Sequence, residues 1–322
     1  MLTTHHFLFT VEVVSPLELD DHSGPALRGS LFEGLWRRFC SHKASPTCAA
    51  CPLHSACPVS ALVAPLREEN PRGRDIPRPY LILPPLGEAR RYERGETLIF
   101  GLTLFGSIIQ LLPYIIMTRH TLEEMGLGRK LPENNGRRGQ FHIKTIESYH
   151  HFTGERHRIY QQGKTLVQAD LLPVTAGDVT AKSASLPTEQ ITLDFLTPTR
   201  IIDQDQLIHR LSFRSLVLRL TERFTSLVAA YGDKSIEEQK QEPELDLIKL
   251  AKDITCKKDE TVWKDVQSYS HRQHRLTPVS GITGRITFCG NLEPFRELLT
   301  WGELIHVGRS AVKGNGWYKI AM

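Results

Sequence analysis

Apolar residues recur along this chain with two different periods, and the switches between them divide it into elements. Residues 6–14 are rich in aromatic and β-branched side chains and read as a strand. The stretch SGPALRGSLFEGLWRRF then sets Leu27, Leu31, Leu35 and Phe39 on one helical face, with Ser23 as N-cap and Pro25 in the first turn. Residues 98–117, LIFGLTLFGSIIQLLPYIIM, are 20 uncharged positions with the length of a membrane span. The pattern breaks at Gly106-Ser107, however. Before it, Thr97, Ile99, Gly101, Thr103 and Phe105 alternate with Leu98, Phe100, Leu102 and Leu104, as in a buried strand. After it, Ile108, Ile109, Leu112, Ile115 and Ile116 recur at helical spacing, so the stretch predicts a strand and then a helix to Met125, kinked or started by Pro113. A short strand is expected at Tyr80–Leu83, and residues 149–190 read as a polar linker with one hairpin. In the second half, QITLDFLTPTRI predicts a strand ending in a turn, followed by a long amphipathic helix at about 206–231. The charged loop GDKSIEEQKQEPELD, a shorter helix from about Glu244, the strand GRITFCG and a helix through EPFRELLTWGELI complete the chain.

Two parts of this pattern repeat one another. LTLFGSIIQLLPYII with GLGRKLPENNGRRGQFHIKTI answers ITFCGNLEPFRELLTW with HVGRSAVKGNGWYKI. Both run strand, glycine turn, helix, Gly-Arg, glycine pair, aromatic residue, apolar strand. Gly128-Arg129 corresponds to Gly308-Arg309, and Gly136 and Gly139 correspond to Gly314 and Gly316. With one strand–helix unit ahead of each repeat, each half reads as a split βαβ of ferredoxin type. The expected fold is therefore α+β, with tandem duplicated ferredoxin-like domains at 1–148 and 191–322 and a linker at 149–190. A small cysteine-rich, metal-binding insertion at 40–58 belongs to the first domain, and a glycine-rich loop at 306–318 to the second.

Composition excludes some classes without choosing one. A chain of 322 residues, 40% apolar and 24% charged, suits two soluble globular domains and not a disordered chain. A net charge of +4 is too small to prove a polyanionic partner, so local clusters must carry that argument. The opening MLTTHHFLFTVEVV has no basic n-region, long apolar core or small-residue cleavage site. The expectation is a cytoplasmic protein with no membrane partner. Fourteen histidines supply several acid–base candidates and no favourite.

Cys40, Cys48, Cys51 and Cys57 lie within 18 residues, the inner pair as C-x-x-C. Four soft ligands at that spacing suit a closed structural zinc site, while an iron–sulfur cluster or a pair of disulfides are the alternatives. The missing leader argues against an oxidising compartment. His42 and His54 are possible substitute ligands, and the isolated Cys256 and Cys289 read as core thiols. In HVGRSAVKGNGWYKI, the glycines allow backbone N–H groups to approach a ligand, and Arg309 and Lys313 favour an anionic one. A nucleotide loop of the Walker type is excluded by order, since Lys313 precedes Gly314 and no Ser or Thr follows. Other cations sit at element ends: Arg28, Arg37, Arg38, Arg137, Arg138, Arg272 and Arg275. Tyr269, His271, His274, Trp317 and Tyr318 are interleaved with the later ones, a mixture suited to RNA with unpaired segments.

Three stretches carry a resemblance. They are LTLFGSIIQLLPYI…GLGR, LTPTRI…LIHRLSFRSLVLRLTER, and VWKDVQSYSHRQHR…GITGRITFCGNLEPFRELLTWGELIHVGRSAVKGNGWY. Together they resemble the CRISPR repeat-processing endoribonucleases of the RAMP superfamily. That superfamily's G-x-x-x-x-x-G-x-G loop falls on Gly308, Gly314 and Gly316, and the cysteine-rich insertion resembles one branch. The resemblance implies tandem ferredoxin-like domains that bind pre-crRNA and the mature crRNA, with other CRISPR effector subunits as further partners. It also implies cleavage without a catalytic metal, in which a 2′-hydroxyl attacks the adjacent phosphate. Such chemistry needs a base, an acid and cations for the transition-state charge. The candidates are His22, His42 or His306 for proton transfer, and Arg28 and Lys313 for charge. The RNA-binding set is Arg37, Arg38, Arg137, Arg138, Tyr269, Arg272, Gly308, Arg309, Gly314 and Gly316. Many relatives carry a histidine near the start of the first helix, where this chain has Arg28, so a non-catalytic RNA-binding subunit is the alternative.

Overall fold

The structure, a computed structural model, describes residues 1–66, 76–164, 170–233, 243–270 and 275–321. It divides into a first unit, residues 2–174 with 230–232, and a second unit, residue 1 with 175–229 and 233–322. The first unit runs β1 (Thr4–Val13), β2 (Leu17–Leu19), α1 (Gly24–Phe39), a cysteine loop, and α2 (Pro58–Val63). It continues with β3 (Tyr80–Leu83), β4 (Arg90–Tyr92), β5 (Thr97–Phe105), α3 (Leu112–Met117) and α4 (Arg119–Met125). Then come β6 (Leu127–Leu131), β7 (Arg137–Gly139), β8 (Phe141–Tyr149), β9 (Arg156–Gln161) and β10 (Pro173–Val174). Its main sheet is antiparallel with order β3-β5-β1-β8-β9, while β2 pairs with β4 and β6 with β7.

The second unit runs α5 (Ala176–Ala184), β11 (Gln190–Thr199), β12 (Ile202–Asp203), β13 (Gln206–Leu207), α6 (Phe213–Tyr231) and α7 (Pro243–Leu250). It closes with β14 (Thr255–Lys264), β15 (Gln267–Ser270), β16 (Arg275–Pro278), β17 (Gly281–Cys289), α8 (Arg296–Ile305) and β18 (Tyr318–Ala321). Its sheet is again antiparallel, with order β14-β17-β11-β18. In both units the strands that bracket the helices therefore lie in the order second, third, first, fourth.

Each sheet is held by the helices that its own loops deliver. In the second unit Leu216, Val217 and Leu220 of α6 and Leu299 of α8 meet Leu193, Phe195, Ile286 and Phe288 of the strands, all buried. Phe213 stands edge-on to both Phe288 and Phe295, ring centroids 5.0 Å apart in each case. Burying a side chain of that size stabilises by roughly 1.5–3 kcal/mol. In the first unit Leu27, Leu31 and Leu35 of α1 are buried as their spacing predicts. Gly34 lets α1 approach closely, because a Cβ there would sit 2.6 Å from the Thr118 methyl.

The stretch from Leu98 to Met117 is a strand and then helix, not a span. Pro113 lies in the first turn of α3, after a 3₁₀ segment at Gly106–Leu111, and so marks the helix start. Among the described residues no helix is long and apolar enough to cross a membrane. Ser23 stands at the N-cap of α1 but makes no side-chain cap bond. Helix α6 begins at Phe213, later than expected, because Gln204 and Asp205 turn at positive φ and make 202–207 a hairpin. Ser212 then receives the Ser215 amide at 3.1 Å and opens the helix. Residues 149–190, read as a linker with one hairpin, supply β9, β10 and α5. Strand β14 went unread because its charges, exposed at the sheet edge, hide any alternation.

Candidate nucleic-acid interface

Helix α8 ends at His306, whose backbone (φ 60°, ψ 170°) lies in a region otherwise reserved for glycine. The imidazole is fully buried, its Nδ1 donates to the Asn315 carbonyl at 3.1 Å, and it stacks on Trp317 with planes 4° apart. The chain then folds back on the end of β11. Thr197 Oγ1 receives the Trp317 amide at 3.0 Å and donates to the Gly314 carbonyl at 2.7 Å. Asn315 Nδ2 donates to the carbonyls of Pro198 (3.0 Å) and Val279 (2.9 Å). Arg309 N–H donates to the Arg200 carbonyl at 2.9 Å, and Gly316 N–H to that of Pro198 at 3.1 Å. The glycines serve this packing. A Cβ on Gly308 would lie 2.4 Å from the Arg200 oxygen, and one on Gly316 1.8 Å from the Val307 oxygen. The amides of Val307, Arg309, Lys313, Gly314, Gly316 and Trp317 are all donated within the protein. What the loop offers outward is side-chain charge, with Arg309 exposed and Lys313 half-buried. Tyr318, read as a base-stacking surface, is core instead, its hydroxyl donating to the Leu299 carbonyl at 2.7 Å.

The first unit holds the same corner. Helix α4 ends at Gly126 (φ 69°, ψ 177°), followed as in the second unit by an apolar residue, Gly128 and Arg129. A Cβ on Gly128 would lie 2.2 Å from the Glu18 oxygen. Gln140 N–H donates to Ser15 Oγ at 2.9 Å, as Trp317 does to Thr197. Asn134 Nδ2 donates to the Pro16 carbonyl at 2.7 Å, as Asn315 does to Pro198. The corners differ in charge. Arg129 is bound to Asp20 (2.5 Å) and Glu18 (3.0 Å), which hold its guanidinium above its usual range, the Asp20 hydrogen bond first. The residue matching Glu18 is Arg200, which the sequence reading passed over. Its signal was the TPTR turn itself, aligned with SPLE.

The remaining candidates scatter. His22 is buried just before α1, whereas His42 is exposed in the loop that follows it. Arg28 is half-buried on the first turns of α1, its guanidinium 5.6 Å from the Phe32 ring centre and its Nε buried with no hydrogen bond. Arg37 is exposed and paired with Glu33 at 2.7 Å. Together with exposed Arg38, it lines a cavity of about 340 Å³ with Thr121, Glu124 and Met125. On β7, Arg137 is exposed and Arg138 half-buried. Tyr269 lies in β15, and Arg272 is outside the described residues.

The four cysteines of the insertion are half-buried free thiols. The Cys48 thiol is pushed up by burial first, then by Cys40 and Cys57 and more weakly by Cys51, against a hydrogen bond from Ser60. That mutual influence and the all-thiol donor set fit a thiophilic structural ion. Among the described residues no group of three or more His, Cys, Asp or Glu side chains is placed to hold a metal. His54 Nε2 lies 3.0 Å from the Ala64 carbonyl.

The mixed antiparallel fold is that of Cas6 proteins. The chain is similar to a Cas6 of Thermus thermophilus (15% identity, TM-score 0.54, covering 100% of this chain and 99% of that one). It is likewise similar to a Cas6 product complex (16%, TM-score 0.57, 99% of each). A third likeness is to a partial Cas6-RT-Cas1–Cas2 complex (15%, TM-score 0.59), where all of this chain covers 46% of that one. No curated protein matches the chain. The family model AF_1859_N, described as an N-terminal domain, matches residues 2–172, more than half of the chain, which therefore belongs to that family. The model of the CRISPR-associated endoribonuclease Cas6 matches residues 193–318. Residues 193–318 therefore match the CRISPR-associated endoribonuclease family, and the fold of the whole chain is the one seen in solved Cas6 proteins of the RAMP type.

Proposed function

We propose that the chain is an endoribonuclease that cuts CRISPR repeat RNA into guide RNAs and stays bound to the crRNA product. The observation that carries this reading is the Cas6 match over 193–318, which encloses the whole loop from His306 to Trp317. The two strand orders and the recurring Gly-Arg corner support tandem ferredoxin-like domains that arose by duplication. Cleavage proceeds by attack of a 2′-hydroxyl on its own 3′-phosphate, leaving a 2′,3′-cyclic phosphate and a 5′-hydroxyl, without a catalytic metal. A histidine takes the 2′-hydroxyl proton or supplies one to the leaving oxygen, and cations meet the added charge. His42 is the histidine candidate already on the surface, while His22 and His306 would need movement to reach a substrate. Arg28 and Lys313 are the charge stabilisers. Cys40, Cys48, Cys51 and Cys57 would hold a structural zinc that closes the loop between α1 and α2 and takes no part in cleavage. Other CRISPR subunits are natural partners, as in the Cas6-RT-Cas1–Cas2 complex.

A second reading, a binding subunit without cleavage, is favoured by the burial of two of the three histidine candidates and by Arg28 on the first helix. Incubation with end-labelled repeat RNA in excess EDTA separates the two. A single cut with a cyclic-phosphate end, abolished by a 2′-deoxy substitution at the scissile position, is the expected outcome. A shifted but intact RNA would select the binding subunit. Neither cutting nor binding across several repeats would defeat both.

A further inference from the structure

In the first unit, the turn after β1 and the Gly-Arg corner bring two side chains of opposite sign together, and Glu18 meets Arg129 at 3.0 Å. In the second unit, the same backbone arrangement carries Arg200 and Arg309, joined through Arg309 N–H and the Arg200 carbonyl at 2.9 Å. Neither arginine has an ion-pair partner among the described residues. Like charges on facing positions destabilise unless something of opposite sign lies between them. Guanidinium groups meet that need best with a phosphate, which accepts paired N–H donors from each.

A stacking surface lies beside this pair. Ile208 N–H donates to the Ile201 carbonyl at 2.9 Å, so the segment leaving the hairpin, which begins with His209, returns beside the segment that carries Arg200. His209 is exposed and lies on the half-buried Trp263, with ring centres 4.2 Å apart. The indole N–H is held by Asp265 at 3.0 Å, which fixes the platform. Arg210, next in sequence, is exposed and also without an ion-pair partner among the described residues. The nearby acid Asp203 is already committed to Ser215 at 2.7 Å and to Arg214 and Arg219. It leaves the two arginines uncompensated.

We infer that Arg200 and Arg309 seat a backbone phosphate of unpaired RNA, and that His209 on Trp263 takes the adjoining base. The inference rests on the reading of the chain as a repeat-RNA-binding protein and gives that reading one particular subsite. It is tested by equilibrium binding of the full chain to repeat RNA with and without an unpaired flank, over a series of salt concentrations. Arg200→Glu rebuilds the pair that Glu18 makes with Arg129, so its melting temperature should equal or exceed that of the unaltered chain. Its affinity for the unpaired flank should nevertheless fall about tenfold or more. Arg309→Ala should lower the salt dependence by roughly one phosphate contact. His209→Ala should weaken binding of the flanked RNA about 5- to 100-fold, and His209→Phe should restore it, since stacking needs a ring and not a proton. Undiminished binding by Arg200→Glu would overturn the phosphate seat. A His209→Phe variant as weak as His209→Ala would overturn the base platform. If the unaltered chain binds no repeat RNA, the functional reading falls and this subsite with it. If it binds and the variants do not differ, only the subsite falls.

Discussion

The two Gly-Arg corners are built from the same bonds and carry opposite electrostatics. Gly128 and Gly308 each press their Cα onto a carbonyl of the segment that follows the unit's first strand. Ser15 and Thr197 receive equivalent amides, and Asn134 and Asn315 tie equivalent prolines. On that common frame the first unit neutralises its arginine with Glu18 and Asp20, whereas the second sets Arg309 beside Arg200. The bonds that recur are those the backbone needs. The charges that differ are those nothing in the fold requires, and they are where function is to be sought.

If that division is right, the largest effects come from the frame. Gly316→Ala forces a Cβ against the Val307 oxygen at a φ of 72°, and no side-chain rotation relieves it. It should cost about 3 kcal/mol or more. Gly136→Ala, at a φ of 71° with nothing within 4 Å, should cost only about 1–2 kcal/mol of backbone strain. Urea unfolding of both variants checks the ordering, and equal losses would break the view that the second glycine pair is a packing device.

Acid should distinguish the units next. β1 carries His5, whose buried Nδ1 has no hydrogen bond and whose burial pulls its pKa down to about 4. Since the folded value lies below the ordinary 6.5, folding keeps this ring neutral. Its contribution is full above pH 6.5 and is lost as pH falls from there through about 4. The loss amounts to about 3 kcal/mol at most. β11 has no histidine. Hydrogen exchange at pH 4.5 and 7 should therefore show the β1 amides losing protection before those of β11, and His5→Phe should remove the difference.

Much of this was legible in the sequence where one physical cause acted alone. The alternation before Gly106, the helical spacing of Leu27, Leu31 and Leu35, and the recurrence of Gly-Arg with a glycine pair each pointed to the element observed. Exposed β14 was missed because TCKKDETVWK has no buried face to impose a period. The packing role of the glycine loop was not legible for a different reason. Glycines that admit a ligand and glycines that admit the protein's own carbonyl look alike in sequence, and only the fold shows Arg200, Pro198 and Val307 already in place. That His42 is exposed while His22 and His306 are buried depends on packing that no motif records.

His306 sharpens the comparison at the scale of one residue. Its counterpart Gly126 has nearly the same backbone angles, φ 69° and ψ 177° against 60° and 170°. A side chain there costs about 1–3 kcal/mol, which the buried imidazole offsets through Asn315 and Trp317. Removing the ring should destabilise either way, but His306→Ala keeps the strained backbone and His306→Gly releases it. The usual order of alanine above glycine should therefore be reversed, by about 1 kcal/mol, in thermal melts.

The smallest expected effect is the most pointed. Arg129 is the sequence counterpart of Arg309, and by sequence alone either could be taken for an RNA contact. Its guanidinium is 61% exposed, but both of its carboxylate partners are bound at hydrogen-bond distance. Because exposed pairs contribute little, Arg129→Ala should change stability by no more than about 1 kcal/mol. Because its charge is already answered, repeat-RNA affinity should move less than about twofold, against the much larger loss expected for Arg309→Ala. Binding titrations of the two variants side by side decide the matter. Equal losses would mean that the carboxylates of Glu18 and Asp20 give way to phosphate, and that the charge difference between the corners is not what selects the RNA.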